Sequence, residues 1–429
     1  MKIAILAVGS QGDVRPSAAL GAGLVAAGHQ VRLVTLGAFK GIAAHCGLDF
    51  APVDIDPFEV IRGDIGQSWM DSADKIHRLI NGFSRAAKDL IERVNNDALA
   101  ACSGYDALLY NVPLSISGHT VAEALGIPGI PTAAAPYHPT CDFPTLFVPS
   151  LPMQGGIVNR LSGSVAFQIL WQIFRTHMNK WRRGQPNMGR LPVRHPLRAM
   201  ARDGVPWLYG FSPSIIPMPA DWPSSASVCG YWFTAPDPSW QPPRPLVDFL
   251  AEGPAPVYVG FGSMVGSDPE RTLEKVLQGI RLAGVRAVLA SGWGGMKHSE
   301  LPKSVFPVES VPHEWLFPRV AAAVHHGGAG TTAAALRAGI PSVVVPYFYD
   351  QLFWGLRLHK LGVAPRPVAQ KHLTSEGLAA GIQSVVSFPE VGARSREIAG
   401  RIAREDGVAA AVSVVERYLN NERKRRVSQ

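Results

Sequence analysis

The chain opens on an unbroken apolar run, Ile3 to Val8, followed at once by Gly9-Ser10-Gln11-Gly12-Asp13. An apolar segment of this length, closed by turn residues, is the pattern of a strand buried on both faces, as in a parallel sheet. It is too short for a signal-peptide core. From Pro16 to Gly28 the pattern predicts a helix, with proline at its start and glycine at its end. Val31–Thr35 predicts a second strand and Phe39–Cys46 a second helix, and Ala107–Tyr110 and Val121–Leu125 continue the series. Strands alternating with helices imply a parallel sheet covered on both faces.

The series starts again past residue 250. Pro256–Phe261 reads as a strand, 269–283 as a helix, Arg286–Leu289 and Ala321–His325 as strands, 331–338 as a helix, Ser342–Val345 as a strand and 351–361 as a helix. Between the two series, Thr234 to Pro245 holds five prolines in twelve residues and cannot continue a helix or a central strand. This puts an N-terminal domain at 1–234, a linker at 235–245 and a C-terminal domain at 246–429, whose last helix is free to pack back on the first domain. The expected fold class is α/β: two Rossmann-like parallel-sheet domains facing each other across a cleft.

Composition agrees with two well-cored domains. The 429 residues are 47% hydrophobic and only 17% charged, which excludes a disordered or coiled-coil chain. Cys46, Cys102, Cys141 and Cys229 are far apart with no C-x-x-C pair, so reduced thiols in a cytoplasmic setting are expected rather than disulfides or zinc. No apolar run reaches transmembrane length.

The net charge of +8 is local. From Phe143 to Arg202 there is no Asp or Glu, while nine Lys and Arg fall in the same stretch. Arg423-Lys424-Arg425-Arg426 adds four more, leaving the remainder net acidic. Inside the basic stretch, Val165 to Phe174 is apolar nearly all round and Lys180-Trp181-Arg182-Arg183 follows. One reading is an internal helix with a solvated basic end. The other is an acceptor wall or a face for an anionic membrane surface, which would make the protein peripheral at the inner face of a membrane. Basic and aromatic residues mix here, but no nucleic-acid module appears, and nucleic acid is not an expected partner.

Four motifs could carry chemistry. After the first strand, Gly9 to Pro16 combines glycines, which let backbone approach a ligand, with a helix N-terminus, which favours anions. It is not a dinucleotide fingerprint, and the second strand ends in Thr35 rather than an acidic residue. Asp13 is a carboxylate at the carboxyl end of a central strand, or alternatively a helix N-cap. The densest motif is His325-His326-Gly327-Gly328-Ala329-Gly330-Thr331-Thr332, a strand running into a glycine turn that opens a helix, suited to a diphosphate. Adjacent His325 and His326 point to opposite faces and do not suit one metal ion, and no metal is expected. Asp350-Gln351 can hydrogen-bond vicinal sugar hydroxyls, or Asp350 can cap a helix. Phe261-Gly262-Ser263 is another small turn after a strand.

At these residues the chain resembles the GT-B family of inverting glycosyltransferases, closest to the sterol 3-β-glucosyltransferase and antibiotic glycosyltransferase group. The resemblance runs from Gly9–Pro16 through Gly230-Tyr231-Trp232-Phe233, Gly260–Met264, Ser291–Gly295 and Val311–Pro318 to the His325–Thr332 turn and Asp350-Gln351. It implies a GT-B fold and transfer of a hexose, most simply glucose from UDP-glucose, to a hydroxyl of a lipophilic acceptor such as a sterol or a polyketide or terpenoid aglycone. The nucleotide sugar is a co-substrate, with no cofactor and no metal.

By the same resemblance Asp13 is the catalytic base. His326 and Thr331 fall on diphosphate contacts, Ser263 on a phosphate contact, Val311 on the backbone that meets uracil, and Asp350 and Gln351 on the pair that holds sugar hydroxyls. Ser10, Gly12, Trp293, His313, Gly328, Gly330 and Thr332 complete the expected donor set. Departures are specific: Ser310 stands where the signature has Trp, Ala334 where it has Glu, and Asn111 where an orienting Asp accompanies a histidine base. Apolar acceptor candidates are Tyr137, His138, Phe143, Phe147, Gln168 and Trp171. Alternatives are a deoxysugar transferase of rhamnolipid type using a TDP-sugar, a sugar-nucleotide epimerase on the same architecture, and a non-catalytic sugar-nucleotide- or lipid-binding protein.

Overall fold

The computed structural model describes residues 1–55, 90–112, 116–147, 149, 155–262, 268–290, 301–347 and 350–427. The chain forms two units, Met1–Ala235 together with Glu405–Gln429, and Pro236–Arg404.

The first unit is built on a seven-stranded sheet of order β3-β2-β1-β4-β5-β6-β7. Its strands are β1 (Lys2–Leu6), β2 (Gln30–Leu36), β3 (Asp49–Val53), β4 (Ala107–Asn111), β5 (Gly129–Ala133), β6 (Trp207–Tyr209) and β7 (Ala226–Val228). All pair in parallel, with Leu6 of β1 between Val34 and Tyr110. Ile3, Ala4, Ile5 and Leu6 are all buried, which is why the run is apolar without alternation. The strand order reverses between β1 and β4. At such a point the connections leave in opposite directions and open a crevice beyond the carboxyl ends of the strands.

The second unit repeats the design with five parallel strands of order β10-β9-β8-β11-β12. These are β8 (Val257–Gly260), β9 (Ala287–Ala290), β10 (Val305–Val308), β11 (Ala322–His325) and β12 (Ser342–Val344). Alternate residues of β8 enter different cores. Val257 and Val259 join Leu289 and Val324, whereas Tyr258 joins Val288, Leu316 and Phe317. Here the reversal falls between β8 and β11.

Six helices matter below: α1 (Gln11–Ala26), α2 (Gly156–Arg182), α3 (Pro269–Ala283), α4 (Ala329–Ala338), α5 (Gln351–Lys360) and α6 (Gly407–Val427). The first begins five residues before the expected Pro16. Ser10 caps it: its Oγ accepts from the Gly12 N–H at 3.2 Å, and the Asp13 carboxylate accepts from the Ser10 N–H at 2.9 Å. This reciprocal capping box starts the helix, and Pro16 lies inside it at the loss of one backbone bond. The proline-rich stretch also ends early, because a helix over Arg244–Ala251 takes up Pro245 in its first turn. The edge strands β3 and β10 carry Pro52 and Pro307, where a missing N–H is tolerated. In the first unit α6 lies against α1, where a Cβ on Gly23 would overlap Val408; beyond α1, His29 Nε2 is 3.2 Å from Glu416 Oε1, and Trp232 Nε1–H donates to the Gly407 carbonyl at 3.0 Å.

Arg182, one of the nine cations of the acid-free stretch, does not serve the surface. It is buried and donates two hydrogen bonds to Glu123, at 2.7 and 2.8 Å. Among the described residues no helix is long and apolar enough to cross a membrane.

Candidate active site

Asp13 stands at the sheet reversal of the first unit, one turn into α1 beyond the end of β1. Its Oδ2 accepts from both the N–H and the hydroxyl of Ser10, at 2.9 and 3.0 Å. The residue keeps some exposed surface, yet its carboxyl group lies deep among protein atoms. This desolvation raises its pKa above the ordinary carboxylate value, and the two Ser10 hydrogen bonds oppose the rise. A carboxylate with a raised pKa at a ligand crevice is equipped to take a proton. The fit is close, because a Cβ on Gly9 would overlap the carboxylate. Of the two sequence readings for Asp13, the N-cap role belongs to Ser10 instead. Gly12 lies in the same turn and donates its N–H to Ser10.

In the second unit the corresponding reversal holds the glycine turn. His325 ends β11 fully buried, and its Nδ1 accepts from the Gly327 N–H at 3.1 Å, which places its proton on Nε2. His326 turns the other way. Its ring lies between Gly262 and Gly328: a Cβ on Gly262 would stand 3.2 Å from it, and one on Gly328 would overlap it. Burial depresses the His326 pKa to about 4, so the imidazole is neutral near pH 7. Its Nδ1 and the hydroxyl of Thr332 are both buried, with no hydrogen-bond partner among the described residues. Gly328 caps α4 without a side chain, so the first-turn N–H groups of Ala329, Gly330 and Thr331 have no acceptor within the helix. Orphan donors, a neutral imidazole and a helix N-terminus together have the chemistry that suits a phosphate group.

Asp350 and Gln351 lie beyond β12 at the start of α5. Asp350 makes no capping bond; its Oδ2 accepts from the indole N–H of Trp354 at 3.1 Å. Gln351 is nearly buried and its Oε1 accepts from the Tyr347 N–H at 2.8 Å. Both side chains are therefore oriented by neighbours that the sequence did not mark. Val311 is half-buried beyond β10. His313 stacks on Phe317 with ring centres 4.3 Å apart, and its Nε2 is 3.3 Å from the Tyr258 hydroxyl. Ser263 and Trp293 lie outside the described residues.

The acceptor candidates divide by burial. His138 is buried in an aromatic cluster with Trp207, Tyr209 and Trp222, and burial depresses its pKa to about 3. Tyr209 OH accepts from the N–H groups of Tyr137 and His138 and donates to His138 Nδ1 at 2.6 Å. Gln168 and Trp171 face a strap over 189–195: the Gln168 amide donates to the Val193 carbonyl and accepts from His195 N–H, and the Trp171 indole donates to the Pro192 carbonyl. Trp171 and Phe167 also line a small apolar cavity of about 10 Å³, too small for an acceptor. Phe143 and Phe147 remain half-exposed, packed near Trp222 and Tyr137. Among the described residues no three His, Cys, Asp or Glu side chains stand together as a metal site would require.

The chain is similar to known glycosyltransferases. Residues 3–143 match the glycosyltransferase family 28 N-terminal domain, and residues 290–414 match the erythromycin biosynthesis protein CIII-like C-terminal domain. A sterol 3-beta-glucosyltransferase of Emericella nidulans is 34% identical over 98% of this chain and 30% of its own length. One from Cryptococcus neoformans var. neoformans serotype D is 35% identical over 98% of this chain and 27% of its own. The chain thus spans about 30% of the length of these relatives. The fold is similar to that of the glycotransferase of kitacinnamycin, with a TM-score of 0.69 at 20% identity over 97% of this chain and 99% of the other. It is also similar to a Streptomyces sp. SF2575 glycosyltransferase complexed with thymidine diphosphate, with a TM-score of 0.63 at 19% identity over 97% and 99%.

Proposed function

We propose that this chain, which belongs to the GT-B glycosyltransferases in the group of the sterol and antibiotic enzymes, transfers glucose from UDP-glucose to a hydroxyl of a sterol-like acceptor with inversion. The observation that carries the reading is the Asp13 carboxylate at the reversal beyond β1, with a raised pKa and, among the described residues, only Ser10 bonded to it. In the proposed reaction Asp13 accepts the hydroxyl proton as the acceptor oxygen bonds to the anomeric carbon. The bond from that carbon to the diphosphate breaks, and UDP leaves with the electron pair. Charge developing on the diphosphate is met by the N-terminus of α4, the His326 imidazole and the Thr331 hydroxyl, an electrostatic role that calls for no metal.

Asp350 and Gln351 hold the sugar hydroxyls in this reading, and the half-exposed Phe143 and Phe147 face the lipophilic acceptor. The sterol class is supported by the names of the relatives at 34–35% identity. A deoxysugar transferred from a TDP-sugar is the second reading, favoured by Ser310 and Ala334 where the uridine-enzyme signature has Trp and Glu. The test is incubation with UDP-glucose or a TDP-deoxysugar and a panel of sterols and aglycones, read by mass. A sterol gaining one hexose from UDP-glucose supports the proposal. Donor hydrolysis with no glycosylated product contradicts it.

A further inference from the structure

We propose that the outer face of α2, with the strap beside it, is a docking surface for an anionic lipid bilayer. Ile157, Leu161, Val165 and Ile169 are 61, 58, 59 and 39% exposed. They recur at every fourth residue and so form one ridge along the helix, roughly 18 Å long at 1.5 Å per residue. Residues 189–195 run back beside it, tied down where Arg182, Arg175, Trp171 and Gln168 donate to the carbonyls of Gly189, Leu191, Pro192 and Val193. This strap adds Val193, 64% exposed, next to the ridge. Large apolar side chains gathered on one exposed face mark an interaction surface.

Charge selects the partner. Arg160, Arg183, Arg190, Arg194 and Arg198 are exposed on the same helix and the chain that follows it, with no acidic residue between Phe143 and Arg202. Among the described residues, Arg183, Arg190, Arg194 and Arg198 have no carboxylate within ion-pair distance. An apolar ridge with the unpaired guanidinium groups of Arg183, Arg190, Arg194 and Arg198 at the helix end and on the chain that follows matches an anionic bilayer surface. The aliphatic side chains enter the boundary between headgroups and acyl chains, and the arginines stay at the phosphates. A second copy is a poorer occupant, because a two-fold contact would set these arginines against their own equivalents with no acid to offset them. No described helix is long and apolar enough to cross, so the ridge lies on the bilayer and does not span it. That a sterol-like acceptor is reached from the bilayer rests on the function proposed above; the docking itself does not.

The test is sedimentation of the full chain at low salt with vesicles of phosphatidylcholine alone, and with vesicles part of whose lipid is phosphatidylglycerol. Donor and acceptor are left out, so failure here is distinct from failure of the transferase reading. The chain is expected to sediment only with the anionic vesicles. Leu161→Glu with Val165→Glu, and separately Arg190→Glu with Arg194→Glu, should each lower the partition at least about tenfold, and added salt should weaken it. The variants should melt like the parent and turn over a detergent-dispersed acceptor unchanged. No binding to anionic vesicles, or equal binding by parent and variants, overturns the proposal. A parent dimer that the variants dissociate, with no vesicle binding, assigns the face to a second copy and also overturns it.

Discussion

Gly9 and Asp13 are built as a pair: Gly9 adopts φ +147°, and a Cβ at that position would overlap the Asp13 carboxylate. The candidate base therefore depends on a residue four positions earlier that has no side chain of its own. Gly9→Ala must both strain the backbone and displace the carboxyl. It should destabilise the first unit by about 1–3 kcal/mol and lower kcat/KM at least about tenfold. Urea denaturation and steady-state kinetics check both numbers. Unchanged kinetics in a folded variant would show that the carboxyl position does not matter.

Ser10 bears on the protonation of Asp13, the proposed base. Burial raises the Asp13 pKa, and the two hydrogen bonds from Ser10 hold it down. A base must be ionised to act, so activity falls as pH drops through that raised pKa. The acid limb of kcat/KM should then lie above the ordinary aspartate value of about 3.9. Ser10→Ala removes the hydroxyl bond that favours the charged form and should move the limb to higher pH. Loss of the N-cap should also cost about 1 kcal/mol of stability. A pH–rate profile of the two proteins decides the matter, and a limb that stays in place would contradict the assignment.

The His326 ring is held by the glycines beside it, which makes two variants informative. His326→Ala removes the neutral imidazole, and Gly328→Ala pushes it out of place. Each should weaken UDP binding roughly tenfold, as expected for loss of one good hydrogen bond to a charged group. Calorimetric titration with UDP measures this directly. Unaltered affinity in both would remove the turn from the phosphate site.

Arg182 and Glu123 supply a prediction about stability alone. The hydrogen bonds from Arg182 are the largest cause of the depressed Glu123 pKa. A depressed carboxylate pKa contributes stability that is complete above the unfolded value of about 4.3 and is lost as pH falls through the folded value. Arg182→Met should cost about 2 kcal/mol at neutral pH, discounted because Glu123 keeps 45% of its side chain in solvent. It should also flatten the fall in stability below about pH 4.5. Denaturant midpoints across that range test both effects.

The parts of this fold that could be read in the sequence share one property: their signal is local. β1, β8 and β11 are buried on both faces and appear as unbroken apolar runs. β6 and β7 are three-residue strands with too little sequence to show a period, and β3 and β10 contain prolines that argue against a strand unless its edge position is known. The start of α1 was legible in principle, since Ser10-x-x-Asp13 has capping-box spacing, but Pro16 gave a stronger and misleading signal. What orients the site was not legible. The bonds from Trp354 to Asp350, from Tyr347 to Gln351 and from His195 N–H of the strap to Gln168 depend on packing, not on a motif. The same holds for Arg182, which counted as a surface charge in the sequence and proved to be an interior one.

The central claim is that Asp13 is the proton acceptor in a glucosyl transfer. Asp13→Asn keeps an oxygen for the Ser10 N–H and removes only the basicity. Turnover of UDP-glucose and a sterol acceptor by this variant, measured beside its affinity for UDP, tests the claim most directly. The account predicts a loss of at least about a hundredfold in kcat with UDP affinity unchanged. Turnover near the parent rate would contradict it.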